Sequence, residues 1–332
     1  MAAMSTPPLS RRFSVAPMMD WTDRHCRAFH RLMSRRALLY TEMAVDQAVI
    51  RGDAQRLIGF DASEHPVAIQ LGGSDPALLS QAARIAEDFG YAEINLNVGC
   101  PSDRVQSGTF GACLMREPQL VAECLAAMRE AVLDGDRHGD RLGVDEQDPE
   151  ETLFSFVETV AKSGVTSFTV HARKAWLKGL SPKENRDIPP LDYGIVRRLK
   201  AARPDLEIIL NGGLETLEHA HAEMTGLDGV MLGRAAYHTP SILSRVDSVF
   251  FGEADPFDDP FSVVEAYRPY VDDQLSQGVR LHAITRHMLG LFSGMPGARR
   301  WRQILSSEAN RDGAGWPVIE QALDAVRERA AA

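Results

Sequence analysis

Short blocks of apolar residues recur along this chain, separated by longer stretches with helical spacing. Seven blocks read as strands, at 13–19, 38–43, 67–73, 92–99, 167–173, 207–213 and 229–234. Most are nearly continuous in apolar character, which predicts strands covered on both faces. Between them, 76–89, 118–131, 149–163 and 193–202 carry amphipathic spacing, and several begin at proline or just after Asp or Ser, as helix starts do. This alternation predicts an α/β fold with a parallel sheet, a (β/α)8 TIM barrel that lacks one visible strand. A polar group closes most strands, on the carboxyl-terminal face where such barrels carry their sites.

The missing strand should be the fifth. The stretch in its place, Val132-Leu-Asp-Gly-Asp-Arg-His-Gly-Asp140, is turn-like and charged. Three aspartates and an arginine inside a barrel would each need a partner, so no buried strand is expected at 132–140. After Arg234 the pattern changes again. A Pro/Asp/Gly-rich linker at 250–260 is followed by helical patterns at 263–277, 281–293, 298–307 and 318–330. The expected organisation is a ragged tail at 1–10, a barrel domain at 11–249 and a small all-α domain at 250–332.

Composition narrows this little. At 332 residues with 44% apolar content, the chain can bury one barrel-sized core and a smaller one. No run of about 18 apolar residues exists to cross a membrane. The four cysteines form no C-x-x-C pair and suggest no disulfide framework, so cytoplasm is the expected compartment. A formal net charge of −10 weighs against a nucleic-acid partner, yet the basic residues are clustered. Arg24, Arg27, Arg31, Arg35 and Arg36 form one run. Arg280, Arg286, Arg299, Arg300 and Arg302 form another, with no carboxylate from 279 to 302. Solvated helix faces are the default reading of both.

The chemistry begins at Glu93-Ile-Asn-Leu-Asn-Val-Gly-Cys-Pro101, a strand that delivers a thiol where the backbone must turn. A cysteine there is either a small buried hydrophobe or a reactive group. Asn95 and Asn97 before it and Ser102, Asp103 and Arg104 after it are poor core material, so Cys100 reads as functional. Cys113 sits among small apolar residues and reads as buried. Asn211-Gly212-Gly213 and Gly233-Arg234 close the last two strands, where glycine N–H groups and an arginine would suit a phosphate. The fingerprint of a Rossmann dinucleotide site is absent. Pro17-Met18-Met19 ends the first strand with soft side chains suited to a flat ring. Gln70 interrupts an apolar strand and needs partners, and His171 ends another. No metal-ligand spacing stands out.

Asn97-x-Gly-Cys-Pro-Ser-x-x-Val105, with Gly111-Ala-Cys-Leu-Met115, resembles the tRNA-dihydrouridine synthases, most closely the branch acting on U20 and U20a of the D-loop. The resemblance covers nearly the whole chain. It implies an FMN-binding barrel with a helical tRNA-binding domain and NADPH as reductant; no obligate protein partner is evident in the sequence. It implies FMN contacts at Pro17, Met18, Met19, Gln70, His171, Asn211, Gly212, Gly213, Gly233 and Arg234. Cys100 is implied as the acid that protonates C5 of the uracil while hydride reaches C6. Contacts to tRNA are implied at Asn97, Lys183, Arg186, Arg299 and Arg302. Lys174, Trp176 and Lys178 share a loop with two of these, and Trp301 lies between the last two as a candidate for stacking.

One departure stands out. Family members carry an apolar fifth strand ending Val-Lys-His-Arg-x-Gly, with the lysine on the cofactor. Here Gly139 holds the lysine's place, and Arg141-Leu-Gly143 preserves only the end. Codons exist for 132–140 whose reverse complement reads Ile-Pro-Val-Pro-Val-Thr-Val-Lys-His, in register with Arg141. A small DNA inversion, or an error in the reported sequence, would account for it, and resequencing the gene decides. Two other functions stay open on the sequence alone. One is a small-molecule FMN barrel enzyme of the dihydroorotate dehydrogenase kind. The other is a tRNA-binding protein inactivated by the altered segment.

Overall fold

The computed structural model describes residues 9–99, 111–132, 138–141, 148–176, 180, 181 and 183–330, with the backbone alone at 138–141 and 186. Cys100, Lys178 and most of 132–140 therefore lie outside the described side chains. Eight parallel strands, each bonded to the next and the last to the first, close a barrel. They are β1 (Phe13–Val15), β2 (Leu38–Val45), β3 (Val67–Gly72), β4 (Glu93–Asn97), β5 (His138–Arg141), β6 (Ser167–His171), β7 (Glu207–Asn211) and β8 (Gly229–Leu232).

The period of two along each strand separates two environments. Leu39, Ile69, Leu71, Leu96, Phe168, Val170, Ile208, Leu210 and Leu232 belong to the large core under the outer helices. Leu38, Tyr40, Ala68, Ile209 and Met231, their alternate neighbours, form a separate small cluster inside the ring. Below it the barrel floor is polar. Arg11 Nε donates to Glu93 at 3.0 Å and Arg11 Nη1 to Glu207 at 2.7 Å, while the Tyr40 hydroxyl donates to Glu93. Burial pushes the Glu93 carboxyl up to about 7, with Arg11 and the Tyr40 hydrogen bond pulling the other way.

The fifth strand corrects the sequence reading. It is present as His138–Arg141, in register with Leu96 and Asn97 on one side and with Phe168 to His171 on the other. Backbone hydrogen bonding to two strong neighbours makes a strand of residues whose side chains would not choose one. Strand one also stops early, because Pro17 and a turn through Met18, Thr22 and Trp21 end it: Met18 N–H donates to Thr22 Oγ1 at 2.9 Å and Thr22 N–H returns to Met18 O at 2.9 Å.

Beyond β8 the expected linker begins inside a helix, α1 (Val246–Phe251), because Phe250 is buried against Phe13 with ring centroids 4.9 Å apart. Then come α2 (Pro260–Ser276), α3 (Leu281–Thr285), α4 (Ala298–Glu308) and α5 (Trp316–Ala330). The helical pattern read at 281–293 is a helix only to Thr285. Turns follow, ending in Gly294 and Gly297 at φ of 85° and 87°. Trp301 is fully buried, edge-on to Phe292, and its Nε1–H donates to Met288 O at 3.0 Å. It is core, and no base can stack on it.

Two arginines of the first basic run are structural as well. Arg27 is 4% exposed and donates to Glu64 at 2.7 Å, and Arg31 donates to the carbonyls of Glu64, Ser34, Ala37 and Pro66. These arginines hold the loop ahead of β3, so a solvated face is the wrong picture for them. Arg299, Arg300 and Arg302 do lie exposed on α4, and Arg280 is exposed ahead of α3. Arg286 instead pairs with Asp23 at 2.5 Å, beside the buried His287. No helix among the described residues is long and apolar enough to cross a membrane.

Candidate active site

A cavity of about 720 Å3 opens at the carboxyl ends of the strands, within the size range of small-molecule sites. Pro17, Met18, Met19, Gln70, Asn97, His171, Asn211, Gly212, Gly213, Gly233 and Arg234 all line it. They come from β3, β4, β6 and β7 and from the segments just after β1, β7 and β8, so the barrel assembles in space what the sequence spreads over more than 200 positions. Gly99 lines it too, which puts the residue preceding Cys100 at its edge. Met19 is 55% exposed at the rim. Trp21, which also lines it, stacks on Tyr237 with centroids 4.5 Å apart.

The polar side chains lie on the inward face of their strands. Gln70 and Asn95 are partners across β3 and β4. Gln70 Nε2 donates to Asn95 Oδ1 at 2.8 Å, and Asn97 Nδ2 donates to Gln70 Oε1 at 2.7 Å. The interrupting glutamine therefore finds two partners within the protein, where sequence reasoning expected a ligand to provide them. Asn95 went unnoticed as a site residue, although its alternation with Glu93 and Asn97 marks the same face.

Asn211 fixes the proton on His171. Its Nδ2 donates to Met231 O at 2.7 Å, so its Oδ1 faces His171 Nδ1 at 2.9 Å and must accept. A neutral His171 then carries its proton on Nδ1, leaving Nε2 as the acceptor of the ring. Gly212 and Gly213 have φ of 112° and 67°, where other residues are strained. A Cβ on Gly212 would come within 2.8 Å of His171 Nδ1, whereas one on Gly233 would meet only Ala16 and Met18 at 3.8 Å. Backbone thus approaches the cavity closely at Gly233, as a phosphate or ring would require. Arg234 is not a lone cation there. Its Nη2 lies 2.7 Å from Asp187 Oδ1, and this hydrogen bond, with the charges around it, holds Asp187 below the usual carboxylate range.

Asp187 belongs to the loop after β6 that carries Lys183, which is exposed, and Arg186, whose side chain lies outside the described residues. Buried Asn185 staples this loop: it accepts from Trp176 N–H and donates to Trp176 O, both at 2.8 Å. Arg299 and Arg302 are on α4, away from the cavity lining. Cys113 is half-buried rather than buried, in a short 3-10 helix (Gly111–Arg116) whose Ala112, Leu114 and Met115 are buried. Gly139 is in register with Asn97 and Thr169, both of which line the cavity, so the position expected to hold a lysine does adjoin the site. No cluster able to hold a metal ion occurs among the described residues.

A closed parallel barrel with a polar-lined cavity at the carboxyl ends of its strands is the arrangement of the (β/α)8-barrel enzymes. Among these the chain belongs to the dihydrouridine synthase family, whose model matches residues 14–330. It is 57% identical to the tRNA-dihydrouridine(20/20a) synthase of Xanthomonas campestris pv. campestris, over 97% of this chain and 95% of that one. It is 58% identical to the protein of that name from Xanthomonas axonopodis pv. citri (96% and 95% covered). Identity to the one from Escherichia coli strain K12 is 56% (96% and 93%). Among solved structures, morphinone reductase shares the fold at a TM-score of 0.50, with 14% identity over 76% of this chain and 88% of that one.

Proposed function

We propose that this protein reduces uridine at positions 20 and 20a of tRNA to 5,6-dihydrouridine, with FMN in the cavity and NADPH as its reductant. The observation that carries this is the convergence of Met18, Gln70, His171, Asn211, Gly213 and Gly233 on one cavity in a chain of this family. Amide edges, a histidine acceptor and close glycine backbone suit a flavin ring and its phosphate tail, and the residues present fit that group except at Gly139.

Bound there, the cofactor would supply hydride to C6 of the uracil. Cys100 would supply the proton to C5, since a thiol with pKa near 8.5 is mostly protonated at neutral pH. Asn97 would orient the base by its amide. A uridine within folded tRNA has to be turned out to reach such a cavity, with cations gripping the backbone elsewhere. Lys183, Arg186, Arg299 and Arg302 are the proposed grips, the last two on a C-terminal helical domain at 250–332.

Flavin absorbance of the purified protein, and dihydrouridine mapping in tRNA treated with it and NADPH, test this reading. A colourless protein that binds tRNA would favour the inactivated alternative. Tight, salt-insensitive turnover of a small molecule without tRNA binding would favour a dihydroorotate dehydrogenase-like one.

A further inference from the structure

We infer that Asn95 is a positioning residue for Gln70, at the end of a one-way relay of amides that begins at the Gly99 backbone. The inference rests on Gln70 as a cofactor contact, part of the function proposed above. A carboxamide has two chemically opposite ends of nearly equal shape, so its direction must be imposed by neighbours. Here a group that can only donate imposes it. Gly99 N–H donates to Asn97 Oδ1 at 3.2 Å. With its oxygen turned to Gly99, Asn97 turns Nδ2 to Gln70 and donates to Oε1 at 2.7 Å. Gln70 must then turn Nε2 the other way, to Asn95 Oδ1 at 2.8 Å.

The three amides are 9%, 7% and 2% exposed in that order. Flipping one alone would oppose like ends and leave buried groups unmade. Gln70 is left with one N–H on the Asn95 side and one lone pair on the Asn97 side. It therefore offers a ring edge a donor and an acceptor in fixed order. The relay also ties the cofactor-facing amide to Asn97, the proposed base contact, and to the backbone next to Cys100. Asn95 is needed because its oxygen, accepting from Gln70 Nε2, holds the far end of an amide whose direction Asn97 sets.

The test is a double-mutant cycle on FMN binding, read by flavin fluorescence quenching in wild type, Q70A, N95A and the double variant. Loss of one net hydrogen bond predicts roughly a three- to tenfold weaker Kd in each single variant. The double variant should be no weaker than Q70A. An N95A that binds as wild type does, or whose loss persists in full on the Q70A background, overturns the inference. A Q70A that binds normally removes Gln70 from the cofactor site instead, and with it that part of the proposed function.

A second readout needs no cofactor. In protein with 15N-labelled glutamine amides, assigned by difference from Q70A, the Gln70 signals should move and exchange faster in N95A. They should stay near their wild-type positions in N95D, which keeps an oxygen acceptor. Signals unmoved in N95A overturn the relay. Folding of each variant is checked by circular dichroism, and N95L, which also removes the acceptor, carries the test if N95A does not fold.

Discussion

Arg234 Nη2 and Asp187 Oδ1 lie 2.7 Å apart, so the cation at the glycine cradle is tied to the loop that carries Lys183. Both side chains are more than 40% exposed, and such pairs contribute less than about 1 kcal/mol to stability. A carboxylate there does compete with a phosphate for Arg234. D187N should leave the unfolding free energy within about 0.5 kcal/mol of wild type while tightening FMN binding about two- to fivefold, by roughly 0.5–1 kcal/mol. Riboflavin, without the phosphate, should bind both proteins alike. Titration with the two flavins checks this.

Gly139 lies in register between Asn97 and Thr169, so the cavity adjoins a position with no side chain. G139K should strengthen FMN binding by about tenfold, since a hydrogen bond to a charged group is worth about 1.5–3 kcal/mol. The same titration reads it, and equal affinity would show that position 139 does not reach the cofactor.

Arg299 and Arg302 are exposed on α4 while Trp301 between them is buried. Replacing either arginine by alanine should change stability by less than about 0.5 kcal/mol. Each should lower the slope of log affinity for tRNA against log salt by about 0.7–0.9. W301A should instead cost about 3–5 kcal/mol of stability. Urea unfolding and filter binding at several salt concentrations separate the two effects.

His30 is fully buried, and burial, with His287 and Arg31 nearby, lowers its pKa to about 3. Below its unfolded value near 6.5 the unfolded chain takes up a proton that the folded protein refuses, so acid disfavours folding through this group. Between pH 6.5 and 5 the contribution lost is about 2 kcal/mol. Glu93, raised to about 7, acts oppositely: it contributes most at low pH and its contribution falls as pH rises through that range. Comparing wild type with H30Q isolates the histidine. Their difference in urea midpoint should shrink on going from pH 7 to pH 5, and a constant difference would contradict the assignment.

Most of the barrel was legible because its strands are apolar enough to be recognised one at a time, as at 67–72 and 207–211. His138–Arg141 was not, since its strand character comes from hydrogen bonding to β4 and β6 rather than from its own residues. The cavity lining was legible from strand-end residues such as Asn211 and His171. The amide relay was hidden because it depends on which residue of β3 stands beside which residue of β4. Arg27 and Arg31 looked like surface until Glu64 and the carbonyls around it came into contact. Trp301 looked like a stacking residue because the one-dimensional sequence shows its charged neighbours but not the helix face it shares with Ile304 and Leu305.

The most direct measurement is dihydrouridine formation at positions 20 and 20a of unmodified tRNA, with FMN and NADPH, by wild type and by C100A. The account predicts a loss of about 10^2- to 10^4-fold in C100A, with FMN still bound and with C113A close to wild type. Undiminished dihydrouridine in C100A, or its loss in C113A instead, would contradict it.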